Sequence, residues 1–165
     1  MSGTPNRPIR AGAHPFGEWG RGARFQMREV ELGKLGGASQ IGVNLVVVPP
    51  GKQSVPFHWH LREEEHFYVL DGRCVARVGD ERFEMSAGDY ICFPAGTQIA
   101  HAVENPFDAE CRLLTIGPWD PHEVCGYPDS GKISVRGIKR MFRPGGEASL
   151  DYWDGEPIDE PLTKR

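Results

Sequence analysis

The sequence predicts an all-β fold, an antiparallel barrel, and three observations lead to this prediction. Short apolar runs alternate with turn signals from Arg24 to Gly117, and many short strands at close spacing are typical of a sandwich or barrel. No segment in this range shows a sustained helical period. The length of 165 residues favours one domain. A barrel is preferred because closure removes the exposed edges of a sheet.

The predicted strands follow the apolar runs in chain order. They cover residues 25–32, 41–48, 57–60, 66–70, 74–78, 82–85, 90–93, 101–103 and 112–116. Turn signals such as Pro49-Pro50-Gly51 and Asp71-Gly72 separate the runs. Glycine, asparagine and aspartate are frequent in these signals because they tolerate the positive φ that tight hairpins require.

The predicted organisation has three parts, an N-terminal arm over 1–23, the barrel core over 24–117 and a C-terminal extension over 118–165. The extension is expected to pack on the barrel. The arm is rich in glycine, proline and arginine, which predicts little regular structure. The extension predicts one or two strands over 133–142. Its Tyr127–Lys132 loop is a candidate lid for the barrel mouth, and Tyr152 and Trp153 are candidate anchors.

Composition narrows the function classes. The net charge of −4 argues against a nucleic-acid partner, which usually requires a basic face. No apolar run reaches the length of a membrane span, and no apolar stretch near the N-terminus resembles a secretory signal. We therefore expect a cytoplasmic protein. The four cysteines form no Cys-x-x-Cys pair, so buried free thiols are expected at most of them.

A first candidate metal site is the pair His58 and His60. Residues i and i+2 of a strand point to the same face, so the two imidazoles project side by side, as two ligands of one metal ion must. The alternative is two histidines on a solvated strand face. Three carboxylates follow at 63–65. Such a run is usually solvated surface, although one carboxylate beside two imidazoles suits Fe(II), Mn, Ni, Co or Zn.

The segment 51–72 resembles the first cupin motif, with Gly51, the His-x-His pair, a glutamate and Gly72. Its spacing to Gly72 favours Glu65 over Glu64 as the ligand. Since Glu65 lies five residues after His60, the strand must turn between them. The spacer before His58 is one residue longer than the usual pattern.

The segment 88–105 resembles the second cupin motif. Its matching residues are Gly88, Pro94, Gly96, His101 and Asn105. The loop between Gly96 and His101 is two residues longer than usual. A lone histidine at the start of a strand is more often structural, so only the resemblance and the first cluster make His101 a candidate ligand.

The resemblance implies a double-stranded β-helix, the jelly-roll-like barrel of the cupins, commonly as a homodimer. It implies one divalent transition metal (Fe, Mn, Ni or Zn) held by His58, His60, Glu65 and His101, with a small-molecule ligand in the barrel. His66 neighbours Glu65 but is expected to point outward by strand alternation.

The chemistry of such a site stays open at this point. Open coordination positions permit Lewis-acid isomerisation or epimerisation, or dioxygen activation at Fe(II). A binding or sensing protein without turnover is a third alternative. We expect a metalloenzyme that isomerises a small sugar- or acid-like substrate, because the segment 123–132 resembles small cupins described as sugar-phosphate-isomerase-like. A phosphate grip is not evident, since Arg62 is the one arginine within the two motifs.

Overall fold

The computed structural model describes residues 6–145, and most of these residues lie in strands, as predicted. The strands are β1 (Gly17–Arg21), β2 (Phe25–Glu31), β3 (Ile41–Val48), β4 (Lys52–Gln53), β5 (Trp59–His60), β6 (Glu65–Asp71), β7 (Arg73–Val78), β8 (Glu81–Ser86), β9 (Tyr90–Phe93), β10 (His101–Asn105), β11 (Cys111–Pro118), β12 (Val124–Tyr127), β13 (Lys132–Val135) and β14 (Arg140–Phe142). One helical turn, α1 (Leu32–Leu35), and three 3-10 turns at Ala11–Ala13, Pro128–Ser130 and Arg136–Ile138 connect them.

Ten strands form one nearly closed, barrel-shaped sheet, which confirms the predicted barrel. The strand order around the barrel is β8-β7-β10-β4-β2-β3-β11-β6-β9, and β1 pairs with β2 outside this path. A second sheet has the order β14-β13-β12-β5. Almost all pairings are antiparallel; the exception is one bridge between Phe25 of β2 and Gln53 of β4.

Strand alternation sorts the side chains between the barrel interior and its outer face. The interior is filled by a buried cluster of Val46, Val48, Phe67, Val69, Cys74, Ala76, Met85, Phe93, Val103, Cys111 and Leu113. Removing this apolar surface from water is the main stabilising contribution to the fold. Tyr68 and Leu70, on the opposite parity of β6, are exposed, as alternation requires.

The expectation of little regular structure in the arm is wrong for Gly17–Arg21. These residues pair with β2 along their whole length, from Gly17 opposite Glu29 to Arg21 opposite Phe25. Gly22, with φ of +61°, makes the tight reversal between the two strands. The turn-forming composition of the arm concealed a strand whose hydrogen bonds come from β2.

The C-terminal extension reaches the barrel through β12, which the sequence did not predict. Cys125 pairs with His60 and Gly126 with Trp59. A Cβ at Gly126 would lie 2.1 Å from the Trp59 ring, so only glycine permits this approach. Residues 133–142 contribute two strands, β13 and β14, as expected, while Tyr152 and Trp153 lie outside the described residues.

The lid interpretation of the Tyr127–Lys132 loop stays a prediction. Asp129 accepts two hydrogen bonds from the Arg77 guanidinium of β7, at 2.7 and 2.9 Å. Lys132 lies over the Tyr127 ring and is not among the residues that line the barrel cavity. The loop is therefore tied to the side of the barrel. Across residues 6–145, no helix is long and apolar enough to cross a membrane.

Candidate metal centre

The four candidate ligands converge in the barrel interior, with their donor atoms all within 4.8 Å of one another. The Nε2 atom of His101 lies 2.6 Å from Oε2 of Glu65, and that of His60 lies 3.3 Å from the same oxygen. The Nε2 atoms of His58 and His60 are 3.0 Å apart. Three imidazole nitrogens and one carboxylate oxygen thus face a common point, and this donor set suits a divalent transition metal ion.

The longer loop before His101 does not displace this residue. The backbone amide of His101 donates to His58 O at 2.7 Å, and the amide of His58 donates to His101 O at 3.1 Å. This reciprocal bridge places the two residues side by side. His101 is 1% exposed and its ring stacks on Phe93 at 3.8 Å. The extra residues extend the loop, and the bridge determines the position of the imidazole.

Hydrogen bonds to Nδ1 orient two of the rings. Nδ1 of His58 donates to Pro56 O at 2.8 Å, which leaves its Nε2 lone pair directed at the common point. Nδ1 of His60 lies 3.4 Å from the Cys125 thiol. Nδ1 of His101 is buried without a hydrogen-bond partner among the described residues. In all three rings, Nε2 is the atom that points to the centre, which fits metal coordination.

The carboxylates at 63–65 have three different environments. Glu65 begins β6 and faces the histidines, as the family spacing predicts. Glu64 is exposed and lies 2.9 Å from His66, which points outward as expected. Glu63 is buried and pairs with the Arg136 guanidinium, so the run does not form the solvated surface that is usual for consecutive carboxylates.

A buried carboxylate of the extension holds the turn that brings Glu65 inward. Glu123 is 1% exposed and accepts the backbone N–H groups of Leu61 at 2.7 Å, Arg62 at 3.0 Å and Val124 at 2.9 Å. Sequence reasoning missed Glu123 and Cys125, since neither belongs to a motif. Their partners lie about sixty residues away in sequence, and only the β5–β12 pairing brings them together.

Burial and the close approach of these groups shift their pKa values. Burial, followed by the charge of His101, lowers the pKa of His58 to about 4. Burial also opposes protonation of His60, but its hydrogen bonds to Cys125 and Glu65 outweigh burial and raise its pKa to about 10. Burial opposes ionisation of Glu65, yet hydrogen bonds from His101 and His60 hold the pKa of this carboxyl far below its usual range. An imidazolium at His60 therefore accompanies a carboxylate at Glu65.

A cavity of about 260 Å³ opens onto the cluster. His58, His60 and Glu65 line it together with apolar side chains of the core. Its volume is slightly below the roughly 300–1,000 Å³ of common ligand pockets, which suits a small molecule. Three inward polar side chains on β2, β3 and β11, which the sequence did not single out, also line this cavity: Glu29, Asn44 and Thr115.

In a comparison with known protein families, residues 44–117 match the cupin domain family. A solved structure from Silicibacter pomeroyi, described as a sugar phosphate isomerase of the cupin superfamily, is 31% identical with a TM-score of 0.68, covering 75% of this chain and 80% of that one. A proposed sugar phosphate isomerase from Acidithiobacillus ferrooxidans is 26% identical with a TM-score of 0.72, covering 76% and 81%.

An uncharacterized protein of Methanocaldococcus jannaschii is 32% identical over 82 residues, which are 50% of this chain and 56% of that protein. The chain spans less than two thirds of the length of the curated relatives that it matches. These comparisons support the fold and a His/Glu cluster that could hold a metal ion. The homodimer, the cytoplasmic location and the three-part division of the chain stay predictions.

Proposed function

The chain belongs to the cupin superfamily, and we propose that it binds one divalent transition metal ion through His58, His60, Glu65 and His101 and isomerises a small sugar- or acid-like substrate. The observation that carries this proposal is the convergence of four donor atoms on one point beside a cavity. Donors from three separate segments of the chain meet there, at residues 58–60, at Glu65 and at His101.

The chemistry follows from the donor set and its surroundings. A bound divalent ion acts as a Lewis acid toward a carbonyl or hydroxyl oxygen of a substrate. Glu65 offsets part of the charge of the ion, and hydrogen bonds to Nδ1 fix the orientation of the rings of His58 and His60. The apolar side chains of Met27, Val46 and Leu113 line the cavity and limit the access of water.

Isomerisation is the preferred reaction because two of the solved structures that resemble this chain, at 26% and 31% sequence identity, are described as sugar phosphate isomerases. The described activity is that of the two other proteins, and a shared fold alone does not determine the type of reaction. The small cavity favours a substrate with few non-hydrogen atoms. Arg62 contributes no phosphate grip inside the cavity, because its guanidinium pairs with Asp120 at 2.6 Å on the surface.

We expect protein purified without chelator to contain about one divalent metal ion per chain, as one four-donor site requires. The metal-loaded protein should interconvert at least one member of a panel of aldose and ketose phosphates, followed by NMR, and the chelated protein should not. Reloading with Mn²⁺, Ni²⁺ or Zn²⁺ is the control for metal dependence. Failure to take up any divalent ion would overturn the metal site.

Two other outcomes would replace the isomerase proposal. Stoichiometric iron with dioxygen consumption would establish oxygenase chemistry in its place. A fully loaded protein that binds members of the panel, measured as an increased melting temperature, but converts none would identify a binding or sensing protein. In both cases the metal site would stand and the reaction would be corrected.

Metal uptake at neutral pH is expected to release about one proton per chain, because coordination requires a neutral imidazole. With a pKa of about 10, His60 carries a proton at neutral pH that the ion must displace. His58, with a pKa of about 4, is already neutral and contributes none. Affinity should therefore rise as the pH rises from neutral toward 10.

Calorimetric titration with Zn²⁺ in buffers of different ionisation enthalpy measures this proton release. A binding enthalpy that does not depend on the buffer would show that no proton leaves, and would contradict the protonated state assigned to His60.

A further inference from the structure

Glu29 is an inward carboxylate of the barrel that the metal site does not use. On β2, Met27 packs against the apolar core, and alternation places Glu29, two residues on, on the same face. Glu29 lines the cavity that also contains His58, His60 and Glu65. Its carboxylate has no hydrogen-bond partner among residues 6–145. It is partly buried, and the charges of Glu31 and Lys34 act on it.

Neighbouring strands extend this polar surface. Glu29 pairs with Val46 of β3, and Asn44 lies two residues from Val46 on the same face. Asn44 in turn pairs with Thr115 of β11. Glu29, Asn44 and Thr115 therefore form a polar wall on three adjacent strands. Around the barrel, this wall lies between β10, which carries His101, and β6, which carries Glu65.

Among the described carboxylates that line the cavity, only Glu29 lacks a hydrogen-bonded or ion-paired partner. Glu65 interacts with His101 and His60, and Glu63 is paired with Arg136. Burial, followed by the charge of Glu31, raises the pKa of Glu29 above its usual value. A partly buried carboxyl of this kind both accepts and returns a proton more readily than a fully solvated one near neutral pH.

We propose that Glu29 transfers the proton between neighbouring carbons of the substrate, while Asn44 and Thr115 bind hydroxyl groups of an open-chain sugar or hydroxy acid. The inference rests on the proposed isomerase function and adds a substrate class, a polyhydroxylated carbonyl compound. Asn44 offers an amide donor and acceptor, and Thr115 a hydroxyl, to vicinal hydroxyls of such a molecule.

The step conserves atoms and electrons without an oxidant or reductant. Glu29 takes the proton from the carbon next to the carbonyl, and the electron pair of that C–H bond forms the C=C bond of an enediol. The carbonyl π pair moves to its oxygen, which gains the proton that the neighbouring hydroxyl loses. Protonated Glu29 then returns its proton to the former carbonyl carbon, and the carbonyl is now on the neighbouring carbon.

The test uses the substitution Glu29→Gln, which keeps the size of the side chain and removes its ability to accept a proton. The probes are glyceraldehyde, ribose and ribose 5-phosphate in D₂O, with deuterium incorporation next to the carbonyl followed by ¹H NMR. We expect exchange and turnover to fall at least about 100-fold. Metal content and calorimetric binding of the probe should be retained.

Two further variants support the assignment. Glu29→Asp keeps the carboxylate and should retain partial exchange. Glu84→Gln is the control, since Glu84 pairs with Arg73 on the surface, away from the cavity, and it should behave as wild type. Replacement of Asn44 by alanine should raise KM more than it lowers kcat.

The possible failures are distinguishable. Wild-type turnover with undiminished exchange in Glu29→Gln would overturn the role of Glu29 and leave the isomerase function intact. Loss of metal in Glu29→Gln would show that this residue supports the metal site, which also overturns the proposal. A metal-loaded wild type that exchanges none of the three probes would overturn the proposed function and the role of Glu29 together.

Discussion

Replacing His58 with alanine is expected to lower the affinity for a divalent metal ion by at least about 100-fold. Loss of a residue that merely orients a ligand costs about 10–100-fold, and His58 supplies a donor atom itself. Its Nε2 lies 3.0 Å from that of His60 and 4.0 Å from Oε2 of Glu65. The measurement is a competition titration of purified protein against a chromophoric chelator, with Zn²⁺ and Mn²⁺ in turn.

The control is His66→Ala, which removes an imidazole that lies one residue from Glu65 but points outward. His66 interacts with Glu64 at 2.9 Å and with the Tyr90 hydroxyl at 2.7 Å, outside the barrel cavity. This variant should retain the affinity of the wild type for Mn²⁺. An equal loss of affinity in both variants would show that the assignment of faces on β5 and β6 is incorrect.

Strand alternation explains which part of the site was predictable from the sequence. The shared face of His58 and His60 follows from their i, i+2 spacing alone, and the structure places both rings in the interior. The nine predicted apolar runs correspond to strands for a similar reason, since each alternation is local. Ile41–Val48 and Tyr90–Phe93 begin and end at the predicted residues.

The remaining parts of the site depend on contacts between distant segments. Parity alone places Glu65 opposite to His60, and only the turn at 61–64, held by Glu123, reverses its direction. The position of His101 results from a backbone bridge to His58, which no local pattern reveals. Glu29 lies on a strand that alternation identifies, but alternation does not show that its inner face reaches a cavity shared with β6 and β10.

The second large effect is expected at Glu123, where Glu123→Gln should lower the free energy of unfolding by about 2–4 kcal/mol. Hydrogen bonds to charged groups contribute about 1.5–3 kcal/mol, and leaving buried donors without partners is costly. The carboxylate accepts from Leu61, Arg62 and Val124. A glutamine amide keeps one acceptor oxygen and turns its NH₂ group toward a backbone N–H that it cannot pair with.

Urea unfolding of the metal-free protein measures this loss, and Glu84→Gln is the matched control. Glu84 pairs with Arg73 on the surface, with both side chains 54% exposed, and an exposed pair contributes little to stability. Since Glu123 holds the turn between His60 and Glu65, its replacement should also weaken metal affinity by about 10–100-fold. If Glu123→Gln matched the wild type in both stability and affinity, the turn would be maintained by its own backbone. Glu123 would then have no part in forming the site.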